Sequence, residues 1–241
     1  MATRKVAFVT GANKGLGFEI CRQLAQQGCT VLLGARDEAR GRAAASQLSR
    51  ESLDVRFLLL DMVQPSTFEP VCHYIAGEFG HLDVLINNAG VAIDWEYKAD
   101  AVPLAMIRQT FETNLFGLID LTQRLLPLMR LSPAGRIVNH SSGLGSLTLH
   151  STPNAGLEHF KAFAYNASKT ALNAFTVHLA EALQGTAIKV NSAHPGDVQT
   201  DANPQGVMSV QEGAKTAVAL ALLPSDGPSG GFFHLGQRLP W

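Results

Sequence analysis

The 241 residues are 46% hydrophobic and 16% charged, with 19 Lys and Arg against 20 Asp and Glu. That composition supports a sizeable core, argues against disorder, and leaves no electrostatic footprint for nucleic acid or an anionic membrane surface. The scattered Cys21, Cys29 and Cys72 have no metal-ligand spacing and suit reduced thiols in a cytoplasmic protein. The N-terminus has basic residues but no apolar run of signal-peptide type, and no stretch of about 18 uncharged apolar residues spans a membrane.

Val6-Ala7-Phe8-Val9 has the composition of a buried strand, and Leu16, Ile20 and Leu24 follow at helical spacing. Between them lies Thr10-Gly11-Ala12-Asn13-Lys14-Gly15-Leu16-Gly17, a glycine-rich strand-to-helix turn of the kind that cradles a phosphate. Gly11 permits a tight turn, Gly15 a close backbone approach to a pyrophosphate, and Gly17 close packing of helix on strand.

Thr30-Val31-Leu32-Leu33 is the next strand, ending in Gly34-Ala35-Arg36-Asp37. An acidic residue at that strand end favours free ribose hydroxyls, and an arginine suits a 2′-phosphate. Arg36 is the leading reader of such a phosphate, Lys14 a second positive charge and Arg40 a third candidate; Asp37 would complicate this if the strand ran on.

A helix with Ala39, Ala43, Ala44 and Leu48 leads to strand Val55–Leu60, which ends at Asp61-Met62. A further helix carries Phe68, Val71, Cys72, Ile75 and Phe79. Val84-Leu85-Ile86-Asn87 is the fourth strand, followed by Asn88-Ala89-Gly90. This alternation predicts a parallel sheet covered on both faces, a Rossmann-type doubly wound α/β fold in one domain over residues 1–241.

The spacing predicts a long helical region from Pro103 to Met129, kinked or ended at Pro127. Asn114 falls within it and, if buried, needs hydrogen-bond partners. Arg136–His140 is the fifth strand and delivers Ser141 and Ser142 to the carboxyl edge of the sheet, where ligands bind. Residues 143–164 form the least regular stretch. A helix with Ala171, Leu172, Phe175, Leu179 and Leu183 follows. Ile188–Ala193 is the sixth strand, residues 201–209 are expected as a mobile loop, 210–223 as a helix, and Gly231–His234 as the last strand.

The helix after residue 164 opens with Tyr165-Asn166-Ala167-Ser168-Lys169. Tyr165 and Lys169 sit one turn apart on one face. A unit charge a few ångströms from a phenol is worth roughly 4 kcal/mol at an effective dielectric near 20. The Tyr165 pKa is therefore expected to fall towards neutrality, making it a usable acid or base.

Taken together, Thr10–Gly17, Asn87–Gly90, Asn114, Ser142, Tyr165 with Lys169, and Pro195-Gly196-Asp197-Val198-Gln199-Thr200 resemble, in this order, the motifs of the short-chain dehydrogenase/reductase family. The glycine turn and the Arg36 and Arg40 region look most like the NADPH-dependent carbonyl reductases. The resemblance implies hydride transfer from NADPH, with NADH the lesser partner, to a ketone, aldehyde or quinone. It implies that Tyr165 protonates the developing alkoxide, Ser142 holds the carbonyl oxygen, and Lys169 tunes Tyr165 and binds the nicotinamide ribose. Asn114 would hold a water that links Lys169 to solvent. Asp61 and Met62 would flank adenine, Asn88, Ala89 and Gly90 line the cofactor groove, and Pro195, Gly196, Val198 and Thr200 reach the nicotinamide amide and diphosphate, with Asn13 and Leu16 in the phosphate turn.

Ser142 and Tyr165 are further apart than in the family's plain members, so the stretch at about 143–164 reads as an insertion. It leaves open whether the chain is a monomer, dimer or tetramer. His140 replaces the apolar residue usual at that strand position and reads as a satisfied strand histidine. Ser141 competes with Ser142, and the motif favours Ser142. His150, His159 and His194 have no metal-site spacing. Trp95, Tyr97, Leu144 and Phe160 are candidate lining for an apolar or aromatic carbonyl or alcohol substrate. The alternatives are a 3-oxoacyl thioester reductase, disfavoured by the lack of a basic patch for an acidic carrier, and a non-catalytic NADP(H)-binding sensor, disfavoured by the intact Ser142, Tyr165 and Lys169.

Overall fold

In the computed structural model, which describes residues 4–153, 155–157, 160–201 and 203–241, seven strands form the body of one sheet. These are β1 (Val6–Thr10), β2 (Thr30–Ala35), β3 (Val55–Leu59), β4 (Val84–Asn87), β5 (Arg136–His140), β6 (Lys189–Ala193) and β7 (Gly231–His234). All of β1, β2, β4 and β5 is buried, as a strand covered on both faces requires.

These seven strands are parallel, and β8 (Gln237–Arg238) adds an antiparallel edge to give the order β3-β2-β1-β4-β5-β6-β7-β8. The sequence gives no apolar signal for β8. It pairs through the Leu235-Gly236 turn, where both φ angles are positive.

Helices α1 (Gly15–Gln26), α2 (Glu38–Arg50), α3 (Phe68–Phe79), α4 (Leu104–Phe111), α5 (Gly117–Met129), α6 (Leu147–Ser151), α7 (Phe163–Ala182) and α8 (Val210–Ala221) cover the sheet. One core packs Ile20, Leu24, Leu48 and Ala217 against β1, β2 and β4. The other packs Phe68, Leu121, Leu125 and Leu172 against the opposite face. The expected α/β architecture is present. No helix among the described residues is long and apolar enough to cross a membrane.

Several boundaries differ from the sequence expectation. The long helix expected over 103–129 is divided by a π-helical turn, Glu112–Phe116, between α4 and α5. Gly117 follows it, and a Cβ there would strike the Met62 carbonyl oxygen. The glycine thus lets α5 lie directly on the chain after β3. Pro127 lies inside α5, which runs two residues further to Met129. The irregular stretch after Ser142 contains a 3₁₀ turn, Gly143–Gly145, and α6, and α7 starts at Phe163. Within the segment expected as a loop at 201–209, the part at Met208 folds back on the chain after β6, with Gln199 N–H donating to Met208 O and Met208 N–H to Asp197 O.

Candidate active site

The strand order reverses between β1 and β4, and the carboxyl ends of these strands frame a crevice. The glycine turn lies at its floor. Gly11 has φ +64°, and a Cβ on it would come within 2.8 Å of Ala89 Cα. Gly17 is equally closed in, by the Gly11 carbonyl and Asn88. Gly15 differs: φ is +57°, and the space beside it is open except for Thr200 Cγ2 at 3.9 Å.

Helix α1 starts at Gly15 with Lys14 as N-cap, no side-chain cap and no acidic residue in its first turn. Its first backbone N–H groups therefore face the crevice with the helix dipole behind them. An uncapped helix start beside an open glycine fits a dinucleotide's diphosphate. Asn13 and Leu16 flank that position on the turn.

Asn88 acts as a clamp. Its Nδ2 donates to the carbonyls of Thr10 and Gly11 at 2.9 and 3.1 Å, and its Oδ1 lies 3.0 Å from His140 Nδ1. The backbone N–H groups of Asn88 and Ala89 both reach Thr10 Oγ1. Gly90 follows, and its open side faces Asn114 Oδ1 and Lys169 Nζ.

The Asn88 amide spends both its N–H groups on carbonyls, so its oxygen must accept from His140. That fixes the proton on His140 Nδ1. His140 is thus held on one nitrogen only, and its buried Nε2 has no partner among the described residues. Burial and the nearby Lys169 charge push its pKa down to about 3.

The four residues singled out for chemistry converge at the carboxyl edge of β5. Ser142 follows the strand; its Oγ accepts from Leu144 N–H at 3.2 Å, which leaves its own O–H to donate. The next turn is held by His194, whose Nδ1 accepts from Gly143 N–H at 3.1 Å. Burial and neighbouring His234 push His194 down to about 4.

Lys169 is 5% exposed, and its ammonium donates to the His140 carbonyl at 2.7 Å. Burial lowers its pKa to about 8. Lys169 Nζ lies 5.7 Å from the Tyr165 ring centroid.

Asn114 is fully buried in the π-helical turn. Its Oδ1 accepts from Val91 N–H at 2.8 Å, and its Nδ2 donates to Val91 O at 2.9 Å and Ser168 Oγ at 3.0 Å. Ser168 in turn donates to the Tyr165 carbonyl at 2.7 Å. A second Oδ1 lone pair remains on the Gly90 side, the side on which Lys169 lies.

The tyrosine departs from the sequence expectation. Burial raises the Tyr165 pKa, and the Ser142 hydroxyl works against that rise. Charge alone favours the phenolate, but burial strips the phenolate of solvent. Lys169 is also turned towards the His140 carbonyl and is itself pushed towards neutrality, so its attraction does not win.

The phosphate-reading candidates lie where the strand end was expected. Strand β2 stops at Ala35, Arg36 is exposed just beyond it, and Asp37 caps α2 by accepting from Arg40 N–H at 2.9 Å. Asp37 is therefore committed to the helix. Arg40 is drawn to the same carboxylate at 3.4 Å, whereas Arg36 makes no ion pair among the described residues. Lys14 pairs with Asp201 at 2.8 Å, both exposed. That bond links the glycine turn to the strap that follows Pro195 and Gly196. Val198 is 6% exposed and lies, with Leu16, beside Gly213, while Thr200 faces Gly15. Asp61 Oδ1 accepts from Val63 N–H, and Met62 is buried under α5.

Asp94 escaped the sequence reading. It is fully buried, and its carboxylate accepts from Ala164 N–H at 2.6 Å and Tyr165 N–H at 3.3 Å. It caps the helix that carries Tyr165 and Lys169 from some 70 residues away. A capping signal read along the sequence looks only at neighbouring residues. Ala162, at the N-cap itself, has no side chain for the task. No group of His, Cys, Asp and Glu among the described residues could hold a metal, and His159 lies outside them.

A model of the short chain dehydrogenase family matches residues 5–208. Short-chain dehydrogenase/reductase 1 of Saponaria officinalis is 34% identical over 100% of this chain and 97% of its own. Carbonyl reductase (NADPH) 1 of Mus musculus is 36% identical over 100% of this chain and 99% of its own. The crystal structure of NADPH-bound carbonyl reductase from chicken fatty liver superposes with a TM-score of 0.85 at 25% identity, covering 100% of both chains. With the glycine turn, the strand order and these matches agreeing, the chain belongs to the short-chain dehydrogenase family.

Proposed function

We propose that the protein is an NADPH-dependent oxidoreductase that reduces the carbonyl group of a small molecule to an alcohol. The observation that carries this reading is the convergence of Ser142, Tyr165 and Lys169 at the carboxyl edge of β5, beside an uncapped helix start suited to a diphosphate. The names of the NADPH carbonyl reductase relatives support the cofactor. Bound NADPH supplies the hydride for the carbonyl carbon.

The chain's own residues do the rest. The N–H groups at the start of α1 hold the diphosphate. Arg36 reads the 2′-phosphate, with Lys14 and Arg40 as further positive charges close to that end of the crevice. Ser142 donates its O–H to the carbonyl oxygen and stabilises the negative charge that develops there. Tyr165 gives that oxygen a proton. Burial suits the phenol to this role: a raised pKa keeps it protonated at neutral pH until a far stronger base, the alkoxide, appears beside it.

Lys169, held by the His140 carbonyl, binds the ribose and offsets the charge left on Tyr165. Asn114 positions Tyr165 through Ser168, and the free lone pair of its Oδ1 holds the water of a path that returns a proton to the site.

Initial rates with NADPH and with NADH against a panel of ketones, aldehydes and quinones test the reading. NADPH oxidation tied to carbonyl loss is expected, with NADPH well ahead of NADH. NADPH binding without turnover of any carbonyl would overturn it in favour of a non-catalytic sensor.

A further inference from the structure

We infer that Trp95 is a specificity-determining residue and that the carbonyl compounds this site prefers carry a flat aromatic group next to the carbonyl. The inference rests on the carbonyl-reducing role of Tyr165. The Trp95 ring lies against the Tyr165 ring, with centroids 5.7 Å apart and planes tilted by 41°. Yet Trp95 is 50% exposed. A large ring packed on one side against the proton donor, with its other surface in solvent, offers a ligand an unused aromatic face.

The ring's position is built in. Asp94, the preceding residue, is 0% exposed and fastens this segment to the first turn of α7 through Ala164 N–H and Tyr165 N–H. One anchor therefore sets both rings: it caps the helix that presents Tyr165 and fixes the backbone from which Trp95 projects. Any movement of the segment would cost a buried carboxylate its two partners. On the other side of the chain, Asn114 holds Val91 by both its N–H and its carbonyl. The run from Val91 to Asp94 is thus tied at both ends to buried polar groups, which is more fixing than a loop receives by default.

An aromatic substituent stacked on Trp95 would bring its adjacent carbonyl beside the phenol. A small aliphatic carbonyl would use Ser142 and Tyr165 without that contact. The preference then resides in one removable ring, and removing it selectively costs the aromatic substrate.

The test compares two α-diketones, aromatic benzil and aliphatic diacetyl, with NADPH. In Trp95→Ala the ratio of kcat/KM for benzil to that for diacetyl is expected to fall roughly 2- to 10-fold, the range of one aromatic contact. Trp95→Phe keeps a face and should hold the ratio near that of the wild type. In a Trp241→Phe background Trp95 is the sole tryptophan, and benzil should quench its fluorescence more than diacetyl does at equal occupancy. An unchanged ratio in Trp95→Ala, a Phe variant as impaired as Ala, or equal quenching overturns this inference and leaves the oxidoreductase reading intact. A wild type that turns over no carbonyl overturns both.

Discussion

Asn114 allows the account to be tested by stability alone. Its amide makes three hydrogen bonds in a fully buried position: two with the Val91 backbone and one with Ser168. A typical intramolecular hydrogen bond contributes about 1 kcal/mol net, and a buried group left without a partner costs about 1–3 kcal/mol. Asn114→Ala removes all three bonds and orphans both the N–H and the carbonyl of Val91. Val91 is only half-buried, so water relieves part of that cost. The expected loss is about 3 kcal/mol. Urea unfolding followed by far-UV circular dichroism would show it as a midpoint about 1 M lower, for a slope near 3 kcal/mol per M. Asn114→Asp keeps an acceptor for Val91 N–H but sets a carboxylate against the Val91 carbonyl, so it should lose at least as much. An Ala variant within about 0.5 kcal/mol of the wild type, the range of ordinary surface changes, would refute this reasoning.

Two further predictions concern charge. With the Lys169 pKa lowered to about 8, reduction by the free enzyme should decline as pH rises through that value, because the ammonium loses its charge. Stability moves the other way: the folded chain releases this proton before the unfolded chain does, so burial of Lys169 costs less between pH 8 and its unfolded pKa. A kcat/KM profile flat from pH 7 to 10 would contradict the assignment. Arg36→Asp should weaken NADPH relative to NADH by roughly 10- to 100-fold, the worth of one charge-assisted contact plus the repulsion introduced; equal preference before and after would show that Arg36 does not face the phosphate.

The sequence is most informative where function is local. The glycine turn, the Tyr165–Lys169 pair and Arg36 after β2 each lie within a few residues, and the alternation of apolar strands with helices orders the sheet around them. What stays hidden is non-local. Asp94 reaches α7 across 70 residues, and Asn88 ties the glycine turn to His140 across 52. A buried polar layer also runs beneath the site, with Asn87 bonded to Asn139 and Thr122, and Asn139 to Thr176. Each of these residues is an ordinary polar side chain in the sequence, and only burial makes its partner obligatory. The Tyr165 pKa follows the same lesson: its neighbouring charge is visible in the sequence, whereas the desolvation that outweighs it is a property of the fold.

The most direct test of the central claim is Tyr165→Phe, which removes one oxygen and keeps the ring that packs against Trp95. Carbonyl reduction and NADPH binding, followed by fluorescence titration, should be measured on the same preparation. The account predicts that turnover falls roughly 100-fold or more, the usual contribution of general acid catalysis, and that affinity for NADPH changes far less. Turnover equal to that of the wild type would contradict it, because the proton would then come from another group.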